Sequence, residues 1–214
     1  MKTNIKFQTV LLVGAIWGFF EASMGIYVKG VCGYQMTGSV MTGIAIFFMT
    51  LGYSYSKETK SILYMLVLAI NLKIFSALII GKPIFGGGVA NPVFAFITEA
   101  LSLMVIIYLM NEFNSKNIVK NSLFGGLTAL IAVNVFPYVG HFTGNVACNT
   151  NGYPWSLLYS PVSVSLSMIL FPVAIKLGEI LAYEINENRI NKFKIALVNS
   201  LSIVFILLSL LIAK

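Results

Sequence analysis

The chain reads as long apolar runs separated by short polar breaks. Windows of predominantly apolar residues fall at about 7–27, 37–54, 61–80, 93–110, 118–137, 156–183 and 195–213. Most are close to the roughly 20 residues that a helix needs to cross about 30 Å of hydrocarbon. Backbone groups in lipid must be paired within the segment or around a closed barrel, and runs this long without period-two alternation indicate helices. The pattern predicts an all-α, polytopic integral membrane helical bundle of six to seven transmembrane helices, forming a single transmembrane domain over residues 1–214. The sixth window exceeds one upright span and contains Pro161 and Pro172. It is expected to be tilted, kinked at Pro172, or begun by a short interfacial turn.

Composition agrees with the pattern. Of 214 residues, 58% are hydrophobic and only 10% are charged, against about 25% charged in a soluble domain. Soluble enzymes and nucleic-acid-binding domains are set aside on that ground. The formal net charge of +7 acquires meaning from its distribution. Lys2, Lys6, Lys57, Lys60, Lys116, Lys120, Lys176, Arg189, Lys192 and Lys194 fall on one side of the alternating spans, and Lys29, Lys82 and Lys214 on the other. The positive-inside rule makes the first side cytoplasmic, so a multi-pass protein of the cell membrane with its N-terminus inside is expected. The basic start also has the shape of a signal peptide; the length of the apolar stretch and the presence of Glu21 favour a retained first span.

Three loops then face outward, at about 28–36, 81–92 and 138–155. They are rich in glycine, aromatics and amides: Gly30-Val31-Cys32-Gly33-Tyr34, Gly86-Gly87-Gly88, and Gly140-His141-Phe142-Thr143-Gly144-Asn145. Such loops suit folding back over a site. The inward loops, with Lys57-Glu58-Thr59-Lys60 and Glu184 to Lys194, read as an ordinary solvated surface.

Ionisable groups inside spans are the strongest functional signal, because a charge at the helix centre costs about 2.5–3.5 kcal/mol on insertion scales and normally faces a bundle interior or water. Glu21, Lys73 and Glu99 are the candidates. Counted from the span ends, Glu21 and Glu99 each lie on the order of 9 Å below the outer surface, and Lys73 lies deeper in the outer half of its span. All three point to one cavity open to the outside, with an acidic excess that a ligand or proton can complete. The competing reading is a structural ion pair, or a lysine that snorkels to the interface.

On the first span, Gly14, Gly18 and Ala22 form a small-residue stripe with Glu21 and Gly25 close by in helical projection. The stripe serves either internal packing or a dedicated partner. Cys32 and Cys148 both fall on the outward side, where a disulfide is chemically allowed; unpaired packing is the alternative. Adding His141, the single histidine, gives a Cys2His set without zinc-ribbon spacing, so no metal is expected. The segment Asn145 to Trp155, NVACNTNGYPW, has the amides, aromatics and turn formers of a lid over a polar small molecule. Asn91-Pro92 opens the fourth span, which lets Asn91 reach the same cavity; capping is its plainer role. Substrate contacts are therefore expected from Glu21, Lys73, Asn91, Glu99, His141, Asn145 and Trp155. Neither HExxH, GxSxG nor a Walker A sequence occurs, so no enzyme activity, cofactor or nucleotide-driven pumping by this chain is expected.

The stretch Trp17-Gly18-Phe19-Phe20-Glu21-Ala22-Ser23-Met24-Gly25, followed by Thr37-Gly38-Ser39-Val40-Met41-Thr42-Gly43, together with the chain's size, span number and loop-covered polar cavity, resembles the S components of energy-coupling factor vitamin transporters. The resemblance covers the general layout of the chain. It implies a substrate-binding membrane subunit that captures a small polar solute, a vitamin-like molecule or a metal complex, from outside. It also implies association with a shared transmembrane scaffold and two ATPases, through Gly14, Gly18 and Ala22. Such S components typically have six spans, against the seven windows counted here. The rival expectation is a self-contained proton- or ion-coupled carrier or channel using the intramembrane carboxylates.

Overall fold

The computed structural model describes residues 2–110, 116–138, 153–187 and 192–212. Among them the architecture is entirely helical: α1 (Lys2–Ser56), α2 (Lys60–Ile79), α3 (Gly87–Met110), α4 (Ile118–Val135) with a 3-10 turn at Phe136–Tyr138, α5 (Tyr153–Glu187) and α6 (Lys192–Ile212). Among the described residues, five helical segments are long and apolar enough to cross a membrane: Met36–Ser56, Lys60–Ile79, Gly87–Met110, Ile118–Tyr138 and Ser160–Glu184. Their outward faces carry large exposed side chains such as Leu101, Val105 and Leu109 on α3 and Leu123, Leu127 and Leu130 on α4. That surface suits lipid and not water. The molecule is a multi-pass membrane protein.

The unusual element is α1. It is one helical run of 55 residues, yet its two ends pack against the same place. The rings of Phe20 and Phe48 lie 5.5 Å apart, whereas a straight helix would separate them by about 42 Å at 1.5 Å per residue. A Cβ at Gly14 would meet Met65 Cγ at 3.2 Å, and a Cβ at Gly52 would collide with the end of that same Met65 side chain. The chain therefore doubles back between Ala22 and Thr42, giving two antiparallel arms. The sequence expectation of an irregular outward loop at 28–36 is corrected: the backbone there is helical, and the reversal occurs within a helical run.

The second loop also differs from expectation. Helix α2 ends in a Schellman motif: Gly81 adopts φ +69, its N–H donates to Leu78 O at 3.1 Å, and the Lys82 N–H donates to Ala77 O at 2.9 Å. Glycine is required there because an L side chain resists the left-handed region. After a short turn α3 begins at Gly87, so Gly87 and Gly88 form its first turn instead of a flap. Asn91 and Pro92 lie inside the helix and do not open it. The earlier start also moves Glu99. It stands about 18 Å along the axis from the first residue of α3, near the middle of the helix and not close to its outer end.

Close packing holds the arms in place. The second arm lies along α5: a Cβ at Gly43 would meet Leu166 Cδ2 at 2.6 Å, and one at Gly178 would meet Ser54 Cβ at 2.6 Å and Leu51 O at 2.9 Å. Helix α4 approaches α5 through Gly125 and Gly126, which face Phe171 and Met168. Apolar side chains gain little by leaving lipid for a helix interface, so small residues that let backbones approach are what the membrane setting demands. Some buried hydroxyls bond back to their own helices, as Ser102 does to Thr98 O at 2.6 Å and Thr128 to Phe124 O at 2.8 Å, which satisfies their donors within the helix. Helix α5 runs unbroken through Pro161 and Pro172 over 35 residues, about 52 Å, and so extends beyond a single bilayer crossing.

Candidate functional site

Helices α2 and α3 and both arms of α1 bring the site together. On the first arm, Trp17 and Glu21 are one turn apart. The indole Nε1–H of Trp17 donates to Glu21 Oε1 at 3.3 Å. The Trp17 ring meets Phe96 of α3 edge to face, with centroids 5.3 Å apart. Glu99, one turn below Phe96, accepts a hydrogen bond from the Thr42 hydroxyl on the second arm. Glu21 lies within electrostatic reach of both Glu99 and Lys73 on α2.

Burial is deep. Glu99 is 3% exposed and Glu21 8%. The second carboxylate oxygen of Glu99, Oε2, is enclosed without a hydrogen-bond partner. Two carboxylates facing one another in a low-dielectric interior repel, and each loses hydration. Lys73 offsets one of the two charges. The arrangement therefore gathers two carboxyl groups and one lysine in the bundle interior and leaves Glu99 Oε2 without a hydrogen-bond partner.

This cluster joins three of the residues expected from the sequence: Glu21, Lys73 and Glu99. Asn91 is buried on the same helix as Glu99, about 12 Å further towards the start of α3. The side chains of Cys32, His141, Asn145, Cys148 and Trp155 lie outside the described residues, so the disulfide and the lid are not placed. Among the described residues no group of three or more His, Cys, Asp or Glu side chains gathers as for a metal ion. No family model, curated protein or solved structure matches the chain.

The structure adds two residues as partners of the carboxylates, Trp17 and Thr42. Trp17 was legible, since residues four apart share a helix face. Thr42 was not legible. Its contact with Glu99 exists only because α1 folds back on itself.

The small-residue stripe is placed as well. Gly14 faces Met65 and Leu68 and Gly18 faces Leu72, and both glycines are buried. At Gly14 and Gly18 this face of the first arm packs against α2, as the internal-packing reading of the stripe expects. A concavity of about 440 Å³ opens between Tyr53, Thr59, Met104, Ile107 and Tyr108. It brings no charged side chain together and lies near the α1–α2 turn, away from Glu21 and Glu99.

Proposed function

We propose that this protein is a membrane solute-binding subunit for uptake, which captures a small polar solute from the outside and depends on partner scaffold and ATPase proteins for energy. The observation that carries the reading is the convergence of Glu21, Lys73 and Glu99 in the bundle interior. Buried ionisable groups in spans are costly, and they mark ligand or ion pathways when they meet. The N-terminus is read as cytoplasmic, from the excess of lysine at that end of the spans. The sequence resemblance to S components supplies the partner class, and the absence of a nucleotide-binding motif in the chain makes a separate energy source necessary.

A second reading is favoured by the unpartnered Glu99 Oε2: a self-contained carrier driven by a proton or ion gradient. The two separate cleanly in liposomes. A capturing subunit, reconstituted alone, retains a stoichiometric non-lipid adduct in native mass spectrometry and moves nothing across the bilayer. Gradient-driven flux by the purified protein without partners would overturn the first reading in favour of the second.

A further inference from the structure

Hydroxyls inside the spans, such as those of Ser102 and Thr128, donate back to their own helices, and that bond uses the one donor a hydroxyl has. A carboxamide is different. It carries two N–H donors and an oxygen that accepts, so one bond to its own helix leaves a donor and the acceptor open. Asn71 of α2 is in that position. Its Nδ2 donates to Val67 O at 2.7 Å, its side chain is exposed, and among the described residues its Oδ1 has no hydrogen-bond partner.

The open amide sits where water cannot complete it. Asn71 stands about 16 Å along the axis from Lys60 and about 12 Å from Ile79, near the centre of a helix that is long and apolar enough to cross the membrane. At 100° per residue, Tyr64, Val67, Phe75 and Leu78 fall within about 40° of it, and all four are exposed. Ile62, Met65, Ala69 and Ser76 lie about 120–180° around the helix and are buried. The face through Asn71 is therefore turned away from the bundle, towards hydrocarbon, where an unpaired polar group is costly.

We infer that this face of α2 pairs with the same face of a second copy of the chain, Asn71 to Asn71, across a two-fold axis along the membrane normal. Copies inserted in one orientation hold equivalent residues at equal depth, so an Asn71 that meets a facing α2 meets its own counterpart. The carboxamide suits that symmetry: each copy donates its open N–H to the open oxygen of the other, and nothing further is required of either. Small and amide side chains are the ones that join helices in lipid, since apolar surface gains little by leaving it. Val67 and Phe75, one turn to either side, close around the pair. Lys73 lies on the far side of α2, about 160° from Asn71, so pairing leaves the carboxylate cluster as it is and does not depend on the uptake reading.

Energy transfer between copies of the full chain labelled at the N-terminus tests it, in phosphatidylcholine liposomes over a range of protein-to-lipid ratios. A saturable monomer–dimer isotherm is expected. Asn71→Leu puts an apolar side chain on a lipid-facing surface, which the fold tolerates, and should raise the dissociation constant by at least about 5-fold. Asn71→Gln keeps the amide and should raise it by less than about 3-fold. Cross-linking reads the face independently of that substitution. In a background with Cys32 and Cys148 changed to Ser, oxidation of Val67→Cys should give a disulfide-linked dimer, and Leu127→Cys, also exposed but on α4, should not. Monomers at every ratio overturn the assignment. So does a dissociation constant that Asn71→Leu changes by less than about 2-fold, or a dimer that links through Leu127→Cys and not through Val67→Cys; both would assign association to another face.

Discussion

Trp17 donates its indole N–H to Glu21 one turn along the same helix, 3.3 Å away, and presses its ring edge-on to Phe96. A fully buried tryptophan thus ties a carboxylate to the neighbouring helix. Trp17→Phe keeps most of the ring and removes the donor, and hydrogen bonds to charged groups contribute about 1.5–3 kcal/mol. A loss in that range is expected in denaturant titration of the detergent-solubilised protein. Trp17→Ala should cost more, about 3–5 kcal/mol, because a cavity is added. No loss in Trp17→Phe beside a large loss in Trp17→Ala would show that packing alone matters at this position.

The doubling back of α1 predicts that Phe20 and Phe48 can be joined. In a background with Cys32 and Cys148 changed to Ser, Phe20→Cys with Phe48→Cys should be linked within one chain by a short bifunctional thiol reagent, as read by peptide mass spectrometry. A straight α1 would hold those positions about 42 Å apart, beyond any such reagent, and no intrachain product would form.

Glycine substitutions should sort by what the new methyl meets. At Gly125 it would lie 2.5 Å from Ser167 O, a backbone atom that cannot step aside, so Gly125→Ala should lose about 1–3 kcal/mol. At Gly18 it meets only the far end of Leu72, and the loss should be smaller. At Gly38 nothing lies within 4 Å, and Gly38→Ala should be neutral or stabilising by up to about 1 kcal/mol, since alanine is the better helix former. A thermal-unfolding series that reverses the order of Gly125 and Gly38 would contradict the packing described.

Lys57 caps α1 in the left-handed region with φ +58, its N–H donating to Tyr53 O at 2.7 Å. Its side chain reaches Glu179 at 3.9 Å across a half-exposed surface. An exposed ion pair contributes about 0.2–1 kcal/mol, less than the roughly 1–2 kcal/mol cost of a left-handed L-residue. Lys57→Gly should therefore be stabilising on balance, by up to about 1 kcal/mol. Glu179→Gln, which removes only the ion pair, should shift the unfolding midpoint little.

The apolar windows and the scarcity of charge were enough to predict a membrane bundle, because lipid leaves helices as the only pairing for an uninterrupted apolar run. The windows at 7–27 and 37–54 both fall inside α1, four others match α2, α4, α5 and α6 to within a few residues, and the α3 window starts six residues late. Glu21, Lys73 and Glu99 were legible for the same reason: a charge inside such a run must face something polar. Tertiary structure decided what each of them faces. Helical periodicity places Gly14 and Glu21 on related faces of the first arm, but nothing in the pattern says that α2 fills the glycine face or that α3 brings Glu99 beside Glu21. Glycines at 86–88 have the composition of a flap, and the Schellman turn at Gly81 ended α2 soon enough for them to start α3 instead. Thr42 became a partner of Glu99 only through the reversal of α1. Such contacts between residues distant in sequence arise from which helices pack together, and one-dimensional periodicity contains no term for that choice.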